Sequence, residues 1–170
     1  MVWFAELRLR QCAKLKLPPT LVWSLLRLWC NGLPTTRRFR NAVSIDSCPF
    51  GCGAIGGDDI RHFAACPLVF AAILPIIGGA NTWPNVTGIR SLFQLEPREN
   101  SNEVILGITI ADALVHTFLF FRRHPPQDVE VVRRAFNERL CVLMQFSGKI
   151  KAAVVATRRG NTLLAPLANG

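Results

Sequence analysis

The sequence predicts a mainly α-helical fold with one small cysteine- and histidine-bearing module set among the helices and a helical hairpin near its C-terminus. Three observations carry this. Half of the 170 residues are hydrophobic and 18% are charged, so a packed core can form and wholesale disorder is disfavoured. Apolar residues recur at helical spacing over 21–30, 101–122 and 128–146. Between the first and second of these runs lie Cys48, Cys52, His62 and Cys66, spaced Cys-x3-Cys-x9-His-x3-Cys.

The chain divides into five stretches: basic N-terminal helices and an Arg-rich loop (1–41), the Cys/His module (42–70), an irregular linker (71–100), a helical hairpin (101–148) and a basic, frayed tail (149–170). Residues 3–17 mix apolar side chains with Arg8, Arg10, Lys14 and Lys16 and read as a helix that Pro18 and Pro19 end. Thr20 is placed to cap a second, almost wholly apolar helix over 21–30, where Trp23, Leu26 and Trp29 share helical spacing and read as core. Asn31 and Gly32 supply its stop. Thr35 to Asn41 then places Arg37, Arg38 and Arg40 around Phe39. That pattern fits guanidinium groups on phosphates with an aromatic ring on a base, and equally a solvated turn whose Phe39 points inward.

In the module, three thiols and one imidazole make a closed Cys3His set, the usual donor set of a structural zinc site. Gly51 and Gly53 allow the tight turn that lets Cys48 and Cys52 face one ion. Asp58 or Asp59 can cap a short helix over 60–66, which would carry His62 and Cys66 four apart on one face until Pro67 ends it. Four protein ligands leave no position for water, so one structural Zn2+ is expected. The competing reading is a chance grouping of buried cysteines. A thiol–disulfide redox motif fits worse, because three residues rather than two separate Cys48 from Cys52.

After the module, 68–77 is apolar but interrupted by Pro75, and 81–100 carries Pro84, Gly88 and Pro97, with one short helix expected near 89–94. Asn85, Val86 and Thr87 match a glycosylation acceptor by chance. Asn100 followed by Glu103 resembles a capping box and opens a long helix to about residue 122. Within it, 104–121 contains only Asp112 and His116 as ionisable residues, which is near the minimum length for a membrane span. An aspartate near a bilayer centre is costly, which favours a buried core helix. Asp112 and His116, four apart, suit a satisfied core contact better than half of a catalytic dyad. Asp128 then caps a helix to about residue 146, with Val132, Phe136, Leu140 and Leu143 as its apolar stripe.

The net charge of +9 favours a polyanionic partner such as RNA, DNA or an anionic membrane, and charge alone does not choose between them. The basic excess lies before and after the module rather than in it. Cys12, Cys30 and Cys141 read as buried free thiols, and thiolate ligands without a disulfide framework point to a reducing intracellular compartment, nuclear or cytoplasmic. No signal peptide is legible at the N-terminus. Gly57, Asp58 and Asp59 imitate a polymerase Gly-Asp-Asp, but they lie between metal ligands with no strand before them, so a polar loop and helix cap is the reading. No phosphate loop or nucleophile elbow appears, and no small-molecule substrate or enzymatic activity is expected.

Taken together, Trp29 to Phe39, Cys48 to Cys52, Asp59 to Phe63, and Cys66 with Pro67 resemble the zinc-binding region that follows the polymerase in LINE-type (non-LTR) retrotransposon reverse transcriptases. The resemblance covers about residues 20–70. It implies Cys48, Cys52, His62 and Cys66 as ligands, with Arg37, Arg38 and Arg40 as nucleic-acid contacts. The fingers–palm sequence is missing, as is the acidic array of a restriction-like endonuclease, so neither activity carries over. The expected function is a non-catalytic, zinc-dependent nucleic-acid-binding module. The alternatives are a protein-interaction module with a structural zinc, or a decayed retroelement fragment.

Overall fold

The structure, a computed structural model, describes residues 2–30, 32–35, 47–55, 58–63, 65–77, 100–124, 126 and 128–164. The architecture is mainly α-helical. Helices run as α1 (Val2–Lys14), α2 (Pro19–Trp29), α3 (Ile60–Phe63), α4 (Pro67–Ile77), α5 (Ser101–Phe121), α6 (Val129–Phe146) and α7 (Gly148–Leu164). The described residues hold no strand, only an isolated antiparallel bridge between Ser47 and Ile55.

The long apolar helix α5 is the centre of the molecule, packing against α2, α6 and α7, while α4 lies on α6 and α7. Fifteen of its 21 residues are buried. It is long and apolar enough to cross a membrane, yet 83% of its most apolar window is buried inside the protein, as a core helix should be. The Asn100 side chain accepts the Asn102 N–H at 2.9 Å and fixes its start. Asp128 caps α6 by accepting the Val131 N–H at 2.9 Å, and Val132, Phe136, Leu140 and Leu143 are the buried stripe the spacing predicts. With α5 and the turn through Pro126, α6 forms the expected hairpin.

Several local expectations are corrected. Thr20 does not cap α2: Pro18 occupies the cap position and Pro19 the first turn, where a missing N–H loses nothing and the fixed φ suits a helix. Prolines likewise do not break α4. Pro67 opens it, and it runs through Pro75 to Ile77, so the first seven residues expected in the 71–100 linker are helical. The remainder, 78–99, lies outside the described residues, as do the acceptor at 85–87 and the helix expected near 89–94.

The expected frayed tail is instead largely α7. Ser147 Oγ accepts the Ile150 N–H at 3.4 Å, and Ile150, Ala153 and Val154 are buried. That i, i+3, i+4 spacing is an apolar stripe, obscured by the lysines and arginines around it. Lys149 Nζ also donates to the Leu15 carbonyl at 2.7 Å and ties α7 to the end of α1.

Helix α1 ends before its prolines. The Leu17 N–H bonds the Cys12 carbonyl at 3.1 Å and the Lys16 N–H bonds the Ala13 carbonyl at 3.0 Å, the paired bonds of a Schellman motif. Lys16 holds the left-handed position at φ 51°, where glycine is favoured. Lys16→Gly is therefore expected to stabilise the protein by about 1 kcal/mol, read as a raised urea midpoint at unchanged slope.

Candidate metal centre

Residues 47–55 fold into a tight knuckle. The Cys48 N–H donates to the Ala54 carbonyl at 3.2 Å and the Gly51 N–H to the Cys48 carbonyl at 2.9 Å. Gly51 at φ 81° and Gly53 at φ 75° make the reversal possible. The knuckle brings Cys48 and Cys52 to the same side.

The other two donors arrive differently from the expectation of one shared helical face. Helix α3 is a single turn carrying His62, and Cys66 stands in the break before Pro67, ahead of the first turn of α4. The backbone N–H groups of Val69 and Leu68 therefore point at the Cys66 sulfur. Asp59 precedes α3, and its carbonyl accepts the Phe63 N–H at 3.2 Å. Asp58 and Asp59 are both buried, a poor disposition for paired carboxylates meant to meet a solvated substrate. Gly57 lies outside the described residues.

The ligand atoms of Cys48, Cys52, His62 and Cys66 all lie within 4.8 Å of one another, close enough to hold a metal ion. Cys48 Sγ is 3.7 Å from Cys66 Sγ, and Cys52 Sγ is 3.2 Å from His62 Nε2. Cys48 and Cys66 are buried, while Cys52 and His62 are half-buried. The electrostatics are those of thiols crowded together. The sulfur–sulfur hydrogen bond with Cys48 lowers the Cys66 thiol to about 5 against the opposing effect of burial, with the Val69 and Leu68 amides assisting. Cys48, through the same bond and its burial, is pushed up instead. One proton is thus shared between two sulfurs, an arrangement that a bound cation would replace.

An aromatic cluster seats the module in the helical core. Phe50, between the first two cysteines, meets Phe63 edge-on at 5.3 Å between ring centroids and Phe121 at 6.3 Å. Phe63, next to His62, packs on Phe118 at 5.0 Å. All four rings are 0% exposed. The knuckle also abuts the hairpin turn: a Cβ added to Gly51 would lie 3.2 Å from the Pro126 carbonyl oxygen and 3.3 Å from its Cγ, whereas one at Gly53 would meet nothing within 4 Å. Gly51→Ala is accordingly expected to weaken metal binding and stability more than Gly53→Ala, which meets only the backbone penalty of about 1 kcal/mol. Chelator competition and urea melts of the two variants check the order.

Asp112 and His116 stand at ion-pair distance, one turn apart on α5. Asp112 is fully buried, accepting from Ser24 Oγ at 2.6 Å and Arg139 Nε at 2.7 Å, while His116 Nε2 stands 3.7 Å away. Burial lowers the His116 pKa; the Asp112 carboxylate opposes this, and Arg139 and Arg27 reinforce it. Arg37, Arg38, Phe39 and Arg40 lie outside the described residues.

Fold and site together define a mainly α-helical protein with a Cys3His centre able to hold a metal ion. No family model matches the chain, and neither a curated protein nor a solved structure does.

Proposed function

We propose that the chain is a non-catalytic nucleic-acid-binding module whose fold depends on one structural zinc ion at Cys48, Cys52, His62 and Cys66. The observation that carries the zinc assignment is the geometry of the four donors. A tetrahedral ion with metal–sulfur bonds of about 2.3 Å separates two sulfurs by about 3.8 Å, and the Cys48–Cys66 distance is 3.7 Å. Three soft thiolates with one imidazole favour zinc over magnesium or calcium, which take oxygen ligands. With four protein donors and two of them buried, the ion's role is to hold the knuckle, α3 and the start of α4 together.

Nucleic acid as partner is supported by the +9 net charge and by Arg37, Arg38 and Arg40 around Phe39 in the stretch between α2 and the knuckle. The resemblance of residues 20–70 to the zinc-binding region of LINE-type reverse transcriptases points the same way. The test is fluorescence anisotropy with labelled RNA and DNA across a salt series, on zinc-loaded and chelated protein. Binding should weaken steeply with salt and disappear with the metal. Replacing Arg37 and Arg38 by alanine should reduce the slope of log K against log salt by about 1.4–1.8, the loss of two phosphate contacts. Salt-independent binding that ignores both arginines would reject this reading.

A protein-interaction module is the second reading, favoured by Phe146 at 82% and Val142 at 39% exposure on α6. Self-association relieved by Phe146→Ser, seen by light scattering in a sample that binds no nucleic acid, would move it to first place.

A further inference from the structure

The sequence places Trp23 on the core stripe of α2, but the structure leaves its side chain 59% exposed with the Arg27 guanidinium 5.9 Å from its ring centroid. Its neighbour Ser24 is buried, and the hydrogen bond from Ser24 Oγ to Asp112 holds α2 against the middle of α5. Arg27 is thereby brought close enough to His116 for its charge to depress that imidazole's pKa. His116 is exposed, and one turn further along α5 Phe120 is 53% exposed. The Phe120 ring stacks on the imidazole of His124 at 5.0 Å with 27° between planes. Exposed Arg123 and half-buried Arg122 stand beside this pair.

These residues make a continuous strip over two helices, with an exposed aromatic ring beside a nitrogen cation or imidazole at each end. Neither α2 nor residues 113–124 contains an acidic side chain, and the Asp112 carboxylate is fully buried and engaged by Arg139 and Ser24. Flat rings at the surface, beside positive charge on helical stretches that carry no exposed acid of their own, match a chain of unstacked bases on a phosphodiester backbone. They do not match a duplex, whose bases are stacked on one another and closed to an aromatic face.

We propose that the strip from Trp23 and Arg27 through His116 to Phe120 and His124 is a stacking platform for single-stranded nucleic acid. The inference deepens the nucleic-acid reading above and rests on it, but it concerns residues other than Arg37 and Arg38.

The test is anisotropy of the zinc-loaded full chain with a labelled 12-nucleotide single strand, as RNA and as DNA, and with the matching duplex. Single strands should bind more tightly than duplex. Trp23→Ala and Phe120→Ala should each weaken single-strand binding about 5- to 150-fold, the effect of losing one stacked base. Trp23→Leu and Phe120→Leu should weaken it similarly, because they keep apolar area and remove the flat ring. Phe146→Ala, at the far end of the hairpin, should change it less than twofold. Both substituted rings are more than half exposed, so thermal melts of the variants should match the parent.

If the parent binds and responds to Arg37 and Arg38 while Trp23→Ala and Phe120→Ala bind within twofold of it, the platform is refuted and the nucleic-acid reading stands. Equal duplex binding, or an equal loss in Phe146→Ala, also refutes the platform. A folded, zinc-loaded parent that binds no oligonucleotide, or binds only phosphatidylserine vesicles, overturns both.

Discussion

Removing the metal is expected to destabilise the whole helical core and not just residues 48–66. Phe50 and Phe63 leave the core if the knuckle and α3 come apart, because each lies within two residues of a ligand. Their departure would uncover Phe118 and Phe121, which are fully buried on the central helix. Loss of one large buried aromatic costs about 3–5 kcal/mol, and about 1 kcal/mol corresponds to 2–4 °C in a domain of this size. Chelation, or Cys66→Ser in the presence of zinc, should therefore lower the melting temperature by roughly 10 °C or more and slow refolding until metal is restored. Reciprocally, Phe63→Ala, which removes none of the four donors, should weaken zinc affinity along with stability. A chelated protein that melts with the parent's midpoint and cooperativity would show that the aromatic cluster does not transmit the site to the core. Cobalt substitution offers an independent check, since a tetrahedral Cys3His centre should give an intense visible spectrum that Cys66→Ser abolishes.

The same cluster shows where sequence reasoning stops. The four-donor cluster was legible because both pairs are local: Cys48 and Cys52 span one turn, and His62 and Cys66 one short break. Caps at Asn100 and Asp128 and the Val132–Phe136–Leu140–Leu143 stripe were legible for the same reason, being set by neighbours within a few residues. Phe50 and Phe63 gave a weak hint by standing beside ligands. Nothing in the linear chain, however, pairs them with Phe118 and Phe121 on a helix beginning at residue 101. The module thus reads as separable in sequence and is continuous with the core in the fold. Pro75 misled in a different way, whereas Pro67 keeps Cys66 out of a helix as expected. A proline is compatible with the first turn of a helix and can be carried within one when packing outweighs the lost hydrogen bond, and α4 is held between α6 and α7. Arg139 and Ser24 were invisible as partners of Asp112, since they lie 27 and 88 residues from it.

Replacing Asp112 alone by alanine is expected to cost about 3–5 kcal/mol. The carboxylate joins α2, α5 and α6 through charge-assisted hydrogen bonds at 2.6 and 2.7 Å. Its removal leaves the Arg139 guanidinium, 21% exposed, without its counter-ion, and the Ser24 hydroxyl without the acceptor it uses here. The larger part of the loss should come from that stranded charge, so Asp112→Leu combined with Arg139→Met and Ser24→Ala should recover most of it. Urea melts of the single and triple variants measure both quantities, and a triple variant as unstable as the single one would mean that the pair specifies the packing of α2. His116 supplies a local reporter. The Asp112 charge raises its pKa against the net lowering by burial, so Asp112→Asn should move the imidazole pKa further down, an outcome read directly by NMR titration. Because the folded value already lies below the unfolded one, His116 favours folding above about pH 6.5 and loses that contribution as pH falls through the folded value. At 48% side-chain exposure the effect is solvent-screened and small beside the loss of Asp112 itself. Should α2 detach in Asp112→Ala, Trp23 and Arg27 would move away from His116, and oligonucleotide binding would weaken without any change at the metal. That ties the polar knot in the core to the surface it holds in register.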